Sequence, residues 1–493
     1  MKIAMIASEM APLAKVGGLA DVVGALPTAL IGLGHDVRVV IPRYGSIDAA
    51  RHGLRPLVGA DGSRLPDAEV AEVKAGDGRV TVYCVVSQEH FGRPGIYNDP
   101  VDGKGYTDNA ARFIHFQKAA LALLRRVGFR PDVVHCHDHQ TGLIPAYIKL
   151  GDDPFYAEAG TLYTIHNMGY QGLFPPTVLE QAGFDRRLFT PAGPFEFYGQ
   201  VNFMKVGISF ADIITTVSPT YAREICTAEQ GFGLEGVLAS RARDLHGVLN
   251  GIDDRTWNPS SDPYLAHHFS ASKPAGKTRC RQELLKKVGL PASRKRMAVL
   301  GLVSRLTGQK GFDLIEQALP TLMQRDLKMV VLGAGEVAYS RMLTEAAAAH
   351  PDRIAVTIGF DESLAHLIEA GSDMFLMPSR YEPCGLNQMY SLVYGTVPIV
   401  RRTGGLADTV REQPEGDQPA NGFVFHDYEA SAMLAAVDRA LSAFADRKGW
   451  LRLMKAGMRM DFSWSGPAGR YADLYAAAAE RARQGVPHGA HYA

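Results

Sequence analysis

Two basic side chains in a glycine-containing loop carry the strongest chemical signal in the sequence. Arg305 and Lys310 lie in the segment Val303–Gly311, between a predicted strand, Met297–Val303, and a predicted helix, Phe312–Leu319. A planar guanidinium and a mobile ammonium beside a helix N-terminus suit a diphosphate. The segment lacks the GxxxxGK[ST] spacing of a P-loop. A solvated basic turn is the alternative interpretation.

A carboxylate follows another predicted strand in the same half of the chain. Glu382 lies in the segment Ser379–Leu386, directly after the apolar run Met374–Met377. There it can accept hydrogen bonds from sugar hydroxyls or offset developing positive charge. It can also serve only as an acidic residue that stabilises a helix N-terminus. Cys384 is weighed as a nucleophile, but no base is tied to it, and a buried inert thiol is the commoner outcome.

Histidines end two predicted strands in the first half. His166 and Asn167 follow the apolar run Gly160–Ile165, where they suit hydrogen bonding to hydroxyls, although a structural role is the alternative. His135, His137 and His139 are spaced by two, so a zinc site must be weighed. Because no fourth ligand is evident, we expect no metal and no cofactor.

One short phrase occurs twice, as Lys15–Val23 and as Arg402–Val410. Each copy contains Gly-Gly-Leu-Ala-Asp, follows a predicted strand and precedes a helical pattern. Glycines at such a position let backbone amides approach an anion closely. The pair therefore predicts two amide-rich turns that grip one charged ligand.

Short apolar runs alternate with helical patterns in both halves of the chain, which is typical of parallel sheets covered on both faces. The predicted strands are Lys2–Ala7, Asp36–Ile41, Val80–Val86, Asp132–His135, Gly160–Ile165, Met297–Val303, Lys328–Leu332, Ile354–Ile358, Met374–Met377 and Val397–Val400. The predicted helices include Leu19–Leu33, Asn109–Arg126 and Trp464–Arg483, and residues 484–493 are expected to fray.

The sequence predicts an α/β fold with two Rossmann-like, doubly wound domains that face a central cleft. Residues 1–250 form the first domain and 251–465 the second, with a hinge near Asn250–Asp254. The stretch Gly251–Pro291 lacks a long periodic core pattern. Residues 466–493 form a C-terminal helix and tail that is expected to pack back on the N-terminal domain.

The composition excludes several classes of protein. The 52 basic residues balance the 52 acidic residues, which argues against a nucleic-acid binder held by bulk charge. No apolar run approaches the ~20 residues of a membrane span, and the N-terminus does not read as a signal peptide. Five scattered cysteines fit a reducing compartment. We therefore expect a cytoplasmic protein without membrane or nucleic-acid partners; nothing in the sequence indicates its oligomeric state.

Taken together, the chain resembles the bacterial glycogen synthase and plant starch synthase family of glycosyltransferases. The matching segments run through nearly the whole chain and are Lys15–Leu19, His137–Asp138, Tyr163–Asn167, Tyr170–Pro175, Glu196–Gly199, Thr215–Pro219, Tyr221–Glu224, Leu249–Asp253, Ser304–Leu306, Gln309–Gly311, Glu382–Leu386 and Arg401–Leu406. Each segment is weak alone, but their order together is specific.

The resemblance implies two domains of the GT-B type. It implies transfer of glucose from ADP-glucose to the non-reducing 4-hydroxyl of an α-1,4-glucan such as glycogen, with retention and without a metal. By position, the implied catalytic residues are His166, Arg305, Lys310 and Glu382. The implied donor and acceptor contacts are Lys15, Gly17, Gly18, Asp21, Tyr97, Asp138, Asn167, Asn250, Phe360, Cys384, Gly385, Leu386, Thr403, Gly404 and Gly405.

Within the resemblance, Arg305 and Lys310 hold the distal diphosphate, assisted by amides near Gly18 and at the Gly404–Gly405 turn. Glu382 binds the glucosyl hydroxyls, and His166 lies at the other edge of the sugar.

The chain departs from the family at five positions. His139 and Gln140 stand where Trp-His is frequent, and Asn387 replaces a frequent Thr. Tyr390 occupies the position of a second glutamate in many related transferases. Phe360 falls where a tyrosine often stacks on adenine.

Two other readings remain open from the sequence. One is a related enzyme with another donor, such as UDP-glucose, or with a short oligosaccharide acceptor. The other is a sugar or nucleotide sensor without catalysis, which the joint presence of Lys15, His166, Arg305, Lys310 and Glu382 disfavours. No motif for the lysine of a pyridoxal phosphate enzyme is found.

Overall fold

The computed structural model describes residues 1–75, 78–101, 103–291 and 297–485. The chain divides into two units. Unit 1 comprises residues 1–251 together with the segment from Trp464 onward, and unit 2 comprises Ile252–Ser463.

The first part of unit 1 contains a large sheet and a small one. The strands are β1 (Lys2–Ile6), β2 (Asp36–Pro42), β3 (Arg55–Val58), β4 (Arg64–Ala75), β5 (Gly78–Val85), β6 (Val133–His137), β7 (Gly160–Ile165), β8 (Leu173–Phe174), β9 (Glu196–Phe197), β10 (Gln200–Asn202), β11 (Ile213–Thr216) and β12 (Leu245–Gly247). The helices are α1 (Gly18–Gly32), α2 (Gln88–Phe91), α3 (Asn109–Arg126), α4 (Ile144–Leu150), α5 (Val178–Ala182), α6 (Phe203–Phe210), α7 (Pro219–Glu224) and α8 (Glu235–Ser240), with 3-10 turns at His139–Thr141 and Arg186–Leu188.

The large sheet has the order β12-β11-β7-β6-β1-β2-β5-β4-β3. The strands from β12 to β5 run parallel, and their apolar side chains are buried because helices cover both faces. β4 and β3 extend one edge as antiparallel strands, and β8, β10 and β9 form a separate antiparallel sheet.

Unit 2 contains one parallel sheet of six strands within the described residues. The strands are β13 (Ala298–Val303), β14 (Leu327–Gly333), β15 (Ile354–Ile358), β16 (Met374–Met377), β17 (Val397–Arg401) and β18 (Phe423–Phe425). The helices are α9 (Ala275–Lys287), α10 (Phe312–Leu322), α11 (Val337–Ala349), α12 (Glu362–Gly371), α13 (Asn387–Val393), α14 (Gly404–Thr409), α15 (Ala430–Ala445) and α16 (Arg447–Gly457), with a 3-10 turn at Gly308–Lys310.

Alternation along the strands of unit 2 divides its core into two layers. Leu300 and Leu302 face one layer, whereas Val299 faces the other. The first layer is completed by α10, α11 and α15, and the second by α9 and α12. Because both faces are covered, nearly every strand residue is apolar, which is why the sequence shows continuous apolar runs.

The last helix of the chain, α17 (Ser465–Gln484), belongs to unit 1 and packs against β7. The contact is close, since a Cβ on Gly160 would lie 2.5 Å from the carbonyl carbon of Ala478. The hydroxyl of Tyr475 on this helix is also within 2.8 Å of His135 Nδ1 in β6.

Most predicted elements are confirmed, and several predictions need correction. The prediction missed β3, β4, β11, β12, β18 and the small antiparallel sheet. The stretch Gly251–Pro291 contains α9, whose buried Cys280 and Leu284 form its core face. Gln484 closes α17 rather than opening a frayed tail, and residues 486–493 lie outside the described residues.

None of the helices in the described ranges combines the length and apolar character that crossing a bilayer requires.

Candidate active site

The strand order of unit 2 determines which of its loops meet. The sheet order β15-β14-β13-β16-β17-β18 is the 3-2-1-4-5-6 order of a Rossmann fold. The order of the strands reverses between β13 and β16, and ligands bind at the carboxyl ends of the strands at such a switch point. The loop that follows β13 carries Arg305 and Lys310, and the loop that follows β16 carries Glu382.

Lys310 and Glu382 form an ion pair at this switch point. The Nζ atom of Lys310 lies 2.7 Å from Oε2 and 2.9 Å from Oε1 of Glu382. The Glu382 side chain is 6% exposed and that of Lys310 is 19% exposed. Ser379 donates a second hydrogen bond to Oε2, at 2.9 Å. The carboxylate is therefore buried, charged and held on two sides.

Close backbone packing explains two of the glycines around this pair. Gly311 has φ +79°, and a Cβ there would lie 2.1 Å from the carbonyl oxygen of Pro378. Gly404 has φ +44°, and its Cβ would lie 1.9 Å from the carbonyl oxygen of Glu382. Only glycine lets the loops after β13 and β17 approach the Glu382 loop this closely.

The second glycine-pair turn is used differently from the expectation. The N–H of Gly405 donates to the carbonyl oxygens of Glu382 and Pro383, both at 3.2 Å. This amide is therefore engaged within the protein, and the turn buttresses the Glu382 loop. Thr403 before it is buried.

The remaining predicted residues of unit 2 differ in exposure. Arg305 is exposed just after β13. Phe360 is 85% exposed after β15. Cys384 is buried, Gly385 has φ +72°, and Leu386 precedes α13.

Two of the positions that depart from the family pattern have structural partners here. Asn387 donates from Nδ2 to the carbonyl oxygen of Val303 at 2.5 Å, which ties the start of α13 to the end of β13. The ring of Tyr390 stacks on Trp257 with centroids 3.9 Å apart.

In unit 1 the corresponding switch point lies between β1 and β6, because β1 is flanked by β2 and β6. The loop after β1 carries Lys15, whose Nζ donates to Asp21 Oδ1 at 2.6 Å. Gly17 is the N-cap of α1, and Gly18 is its first residue. Lys15 and Gly18 are exposed.

Glu9, which the sequence analysis did not assign, organises this loop. Its Oε2 accepts the backbone N–H groups of Val16 at 2.5 Å and Gly17 at 3.0 Å. Its Oε1 accepts the hydroxyl of Tyr97 at 2.5 Å, and that hydroxyl also lies 2.7 Å from Ser8 Oγ. Burial raises the pKa of Glu9, while these hydrogen bonds lower it. Tyr97 thus supports the glycine loop through Glu9.

The loop after β6 holds Asp138, whose backbone has φ +54°. Its Oδ1 accepts the backbone N–H of His166 at 2.7 Å, which joins the ends of β6 and β7. Burial raises the pKa of the Asp138 carboxyl to about 7, although N–H groups of His166 and Asn167 lower it. The Asn167 side chain accepts the N–H of Gly169.

The three candidate metal-binding histidines have separate partners. His135 contacts Tyr475 and Thr164, His137 contacts His166, and His139 lies 3.0 Å from the carbonyl oxygen of Tyr170. Within the described ranges, no three His, Cys, Asp or Glu residues are grouped so that they could hold a metal ion. Burial lowers the pKa of His166 to about 3 and that of His139 to about 4.

The structure adds three residues that sequence reasoning did not assign to the site. They are Glu9, His137 and Ser379, each of which contacts a predicted site residue or its backbone. Ser379 and His137 lie inside quoted motifs and Glu9 lies shortly before one, but only the fold shows the contacts. Asn250, which was predicted, is buried, and its Oδ1 has no partner among the described residues.

The chain has two doubly wound Rossmann-like units, and the loops at their switch points carry charged groups and hydrogen-bonding groups. This is the architecture of a GT-B glycosyltransferase. Residues 2–240 match the family described as "Starch synthase catalytic domain", and residues 286–450 match "Glycosyl transferases group 1".

Similar proteins agree with these matches. The chain is 50% identical over 478 residues to a glycogen synthase of Anaeromyxobacter dehalogenans, covering 96% of this chain and 98% of the relative. It is 46% identical over 494 residues to a glycogen synthase of Syntrophotalea carbinolica, covering 97% and 99%. It superposes on the catalytic domain of starch synthase IV from Arabidopsis thaliana, solved with ADP and acarbose, with a TM-score of 0.88 and 36% identity, covering 97% of this chain and 99% of that one.

The chain therefore belongs to the glycogen synthase and starch synthase family, and it is a glycosyltransferase that transfers glucose.

Proposed function

We propose that this chain transfers glucose from ADP-glucose to the non-reducing 4-hydroxyl of an α-1,4-glucan, with retention of configuration. The observation that carries the proposal is the Lys310–Glu382 pair at the switch point of unit 2. The chain that carries this pair has 50% sequence identity to a glycogen synthase. The ADP bound to the starch synthase IV domain supports an adenine nucleotide as donor.

In this proposal unit 2 handles the leaving group. Arg305 and Lys310 bind the diphosphate, where a fixed positive charge stabilises the negative charge that develops as the sugar departs. Lys310 then replaces part of its contact with Glu382 by contacts with phosphate oxygens. Glu382 accepts hydrogen bonds from the glucosyl hydroxyls. Phe360 stacks on the adenine.

Unit 1 supplies hydrogen-bonding groups to the glucosyl and acceptor hydroxyls. His166, Asn167 and Asp138 form one such group, and Asn250 another. Lys15, Asp21 and Tyr97, together with Gly17 and Gly18 of the glycine loop, are proposed as further donor contacts. The turn of Thr403, Gly404 and Gly405 supports the loop that carries Glu382 and Cys384.

The chemical step is a same-face substitution at the anomeric carbon. The bond from this carbon to the phosphate oxygen breaks as the bond to the acceptor O4 forms. The departing phosphate oxygen takes the proton of the acceptor hydroxyl, so ADP and the lengthened glucan are the products. No carboxylate pair of the glycosidase kind is required, and the position eight residues after Glu382 holds Tyr390.

The test is a donor comparison with the intact chain. The protein is incubated with glycogen and either ADP-glucose or UDP-glucose, and both nucleotide release and glucan growth are measured. We expect ADP release matched by α-1,4-linked glucose. A preference for UDP-glucose would overturn the donor assignment. Nucleotide binding without transfer to any glucan would make the chain a sensor.

We further propose that the enzyme acts in the cytoplasm. All five cysteines are free thiols, as expected for a protein in a reducing compartment.

A further inference from the structure

A pair of histidine rings in unit 1 is joined by a direct hydrogen bond. His137 is the last residue of β6, and His166 follows the end of the neighbouring strand β7. Nδ1 of His137 lies 2.9 Å from Nε2 of His166. His137 is fully buried, whereas His166 is partly exposed.

The hydrogen bond between the two rings uses one proton. Burial lowers the pKa of both histidines far enough to keep them neutral at physiological pH. A neutral imidazole has one N–H donor and one bare nitrogen. One ring therefore donates to the other, and the identity of the donor sets the tautomer of both rings.

The far nitrogen of His137 indicates which ring is the donor. Its Nε2 is buried and has no hydrogen-bond partner among the described residues. A buried N–H without an acceptor is rarer in proteins than a buried acceptor that is left unfilled. The proton of His137 is thus assigned to Nδ1, so His166 accepts at Nε2 and carries its own proton on Nδ1.

We propose that His137 is a positioning residue for glucosyl transfer, which holds His166 in the tautomer that offers an Nδ1–H donor to a sugar hydroxyl oxygen. The backbone of His166 is fixed separately, because Asp138 accepts its N–H at 2.7 Å. Asp138 thus fixes the peptide group of His166, and His137 fixes its ring. The inference rests on the proposed contact of His166 with the donor sugar.

The chain offers a matched control two residues away. His135 lies on the same strand, is equally buried, and has its ring centroid 4.0 Å from that of His137. It contacts Tyr475 Oη and Thr164 Oγ1 but not His166. His135→Phe therefore loses two hydrogen bonds. His137→Phe loses one hydrogen bond and also removes a buried nitrogen that had no partner, which reduces its cost in stability. If the two histidines are merely structural, His135→Phe is the more damaging change.

We expect His137→Phe to lose more activity than His135→Phe, and His135→Phe to lose more stability than His137→Phe. His137→Phe lowers kcat on the order of 10²-fold, as for a misplaced reacting group, with little change in Tm. His135→Phe lowers Tm more and leaves kcat within a few-fold of the wild type. His137→Asn, whose amide donates from nearly the Nδ1 position, restores much of the rate. Tyr475→Phe, which removes one contact of His135, is a milder second control.

Nitrogen-15 NMR of histidine-labelled protein reads the tautomer directly, with the His166 signals assigned by their loss in His166→Asn. We expect an Nδ1–H tautomer in the wild type and a mixture in His137→Phe. An Nε2–H tautomer of His166 in the wild type would overturn the proposal. So would a normal rate in His137→Phe, or rate losses that follow Tm in both variants. If the wild type transfers no glucose at all, the proposed function fails, while the NMR result still decides the hydrogen bond.

Discussion

The functional clusters of the two units differ in charge state. In unit 1 burial keeps the histidines around His166 unprotonated and raises the pKa of Asp138 to about 7, so this cluster carries little charge. In unit 2 a lysine and a carboxylate face each other 2.7 Å apart. Neutral donors and acceptors match hydroxyl groups, whereas fixed charges match a diphosphate. The difference supports the proposed roles, in which the groups around His166 bind hydroxyls and Lys310 binds the diphosphate.

The largest expected effect comes from removing the charge in unit 2. Lys310→Ala should lower the transfer rate ~10²–10³-fold, as for the loss of one charge-stabilising donor. It should also destabilise unit 2, because the buried carboxylate of Glu382 loses its ion-pair partner and keeps the hydrogen bond from Ser379. Steady-state kinetics and thermal unfolding measure the two effects.

The double variant Lys310→Ala/Glu382→Gln separates them. It should recover stability, since no unpaired charge remains, without recovering the rate. Lys287→Ala removes an exposed lysine of the same unit that contacts Ser363, so it controls for net charge. Full activity in Lys310→Ala would remove the phosphate side of the comparison.

A second, intermediate effect is an opposite pH dependence of stability in the two units. Burial lowers the pKa of His135, His137 and His166 in unit 1. Below the unfolded value of about 6.5 the unfolded chain binds protons that the folded unit does not, so unit 1 loses stability as the pH falls. For His366 in unit 2, burial alone lowers the pKa, but the hydrogen bond to Asp262 and the nearby Glu362 carboxylate outweigh it and raise the pKa. Its contribution is complete below pH ~6.5 and is lost as the pH rises through the folded value.

His135→Phe and His366→Phe test this contrast by hydrogen exchange in each unit between pH 5.5 and 8.5. The advantage of the wild type over His135→Phe should shrink below pH ~6.5, by up to ~1.4 kcal/mol per pH unit. Its advantage over His366→Phe should instead grow as the pH falls from the alkaline end and then level off. Parallel profiles for the two variants would contradict the opposite pKa shifts of His135 and His366.

The smallest effect concerns an uncharged contact in unit 2. Phe360→Ala should raise KM for the donor ~10-fold, because base stacking on an aromatic ring contributes about 1–3 kcal/mol. Phe360→Tyr should be close to wild type. Stability should not change, since the ring is 85% exposed. Val337→Ala, at a residue that is 81% exposed in the same unit, is the control. An unchanged KM in Phe360→Ala would leave the charges as the main donor contacts of unit 2.

The sequence predicted most of the parallel strands because burial on both faces leaves continuous apolar runs. It missed β11, β12 and β18, which have only three or four residues each. Gly160–Ile165 and Ile354–Ile358 coincide with the observed strands. The antiparallel strand Arg64–Ala75 was missed because charged residues interrupt its apolar pattern, and β8 and β9 have only two residues each.

The candidate site was predictable in its residue types but not in its contacts. Arg305, Lys310 and Glu382 were identified from loops that follow strands. The contact between Lys310 and Glu382 depends on β13 lying beside β16, which local sequence does not encode across the 72 residues that separate them. The His137–His166 bond is likewise a consequence of β6 pairing with β7. The engagement of Gly405 by the Glu382 loop needed three-dimensional packing that a glycine pair alone does not reveal.

The position of α17 has a consequence for the order in which the chain is made. Unit 2 is one continuous segment, whereas unit 1 needs Tyr475 and Ala478, which follow unit 2 in the sequence. During synthesis from the N-terminus, unit 2 leaves the ribosome complete while β6 and β7 still lack their covering helix. The half of the molecule that is translated first is therefore the half that is finished last.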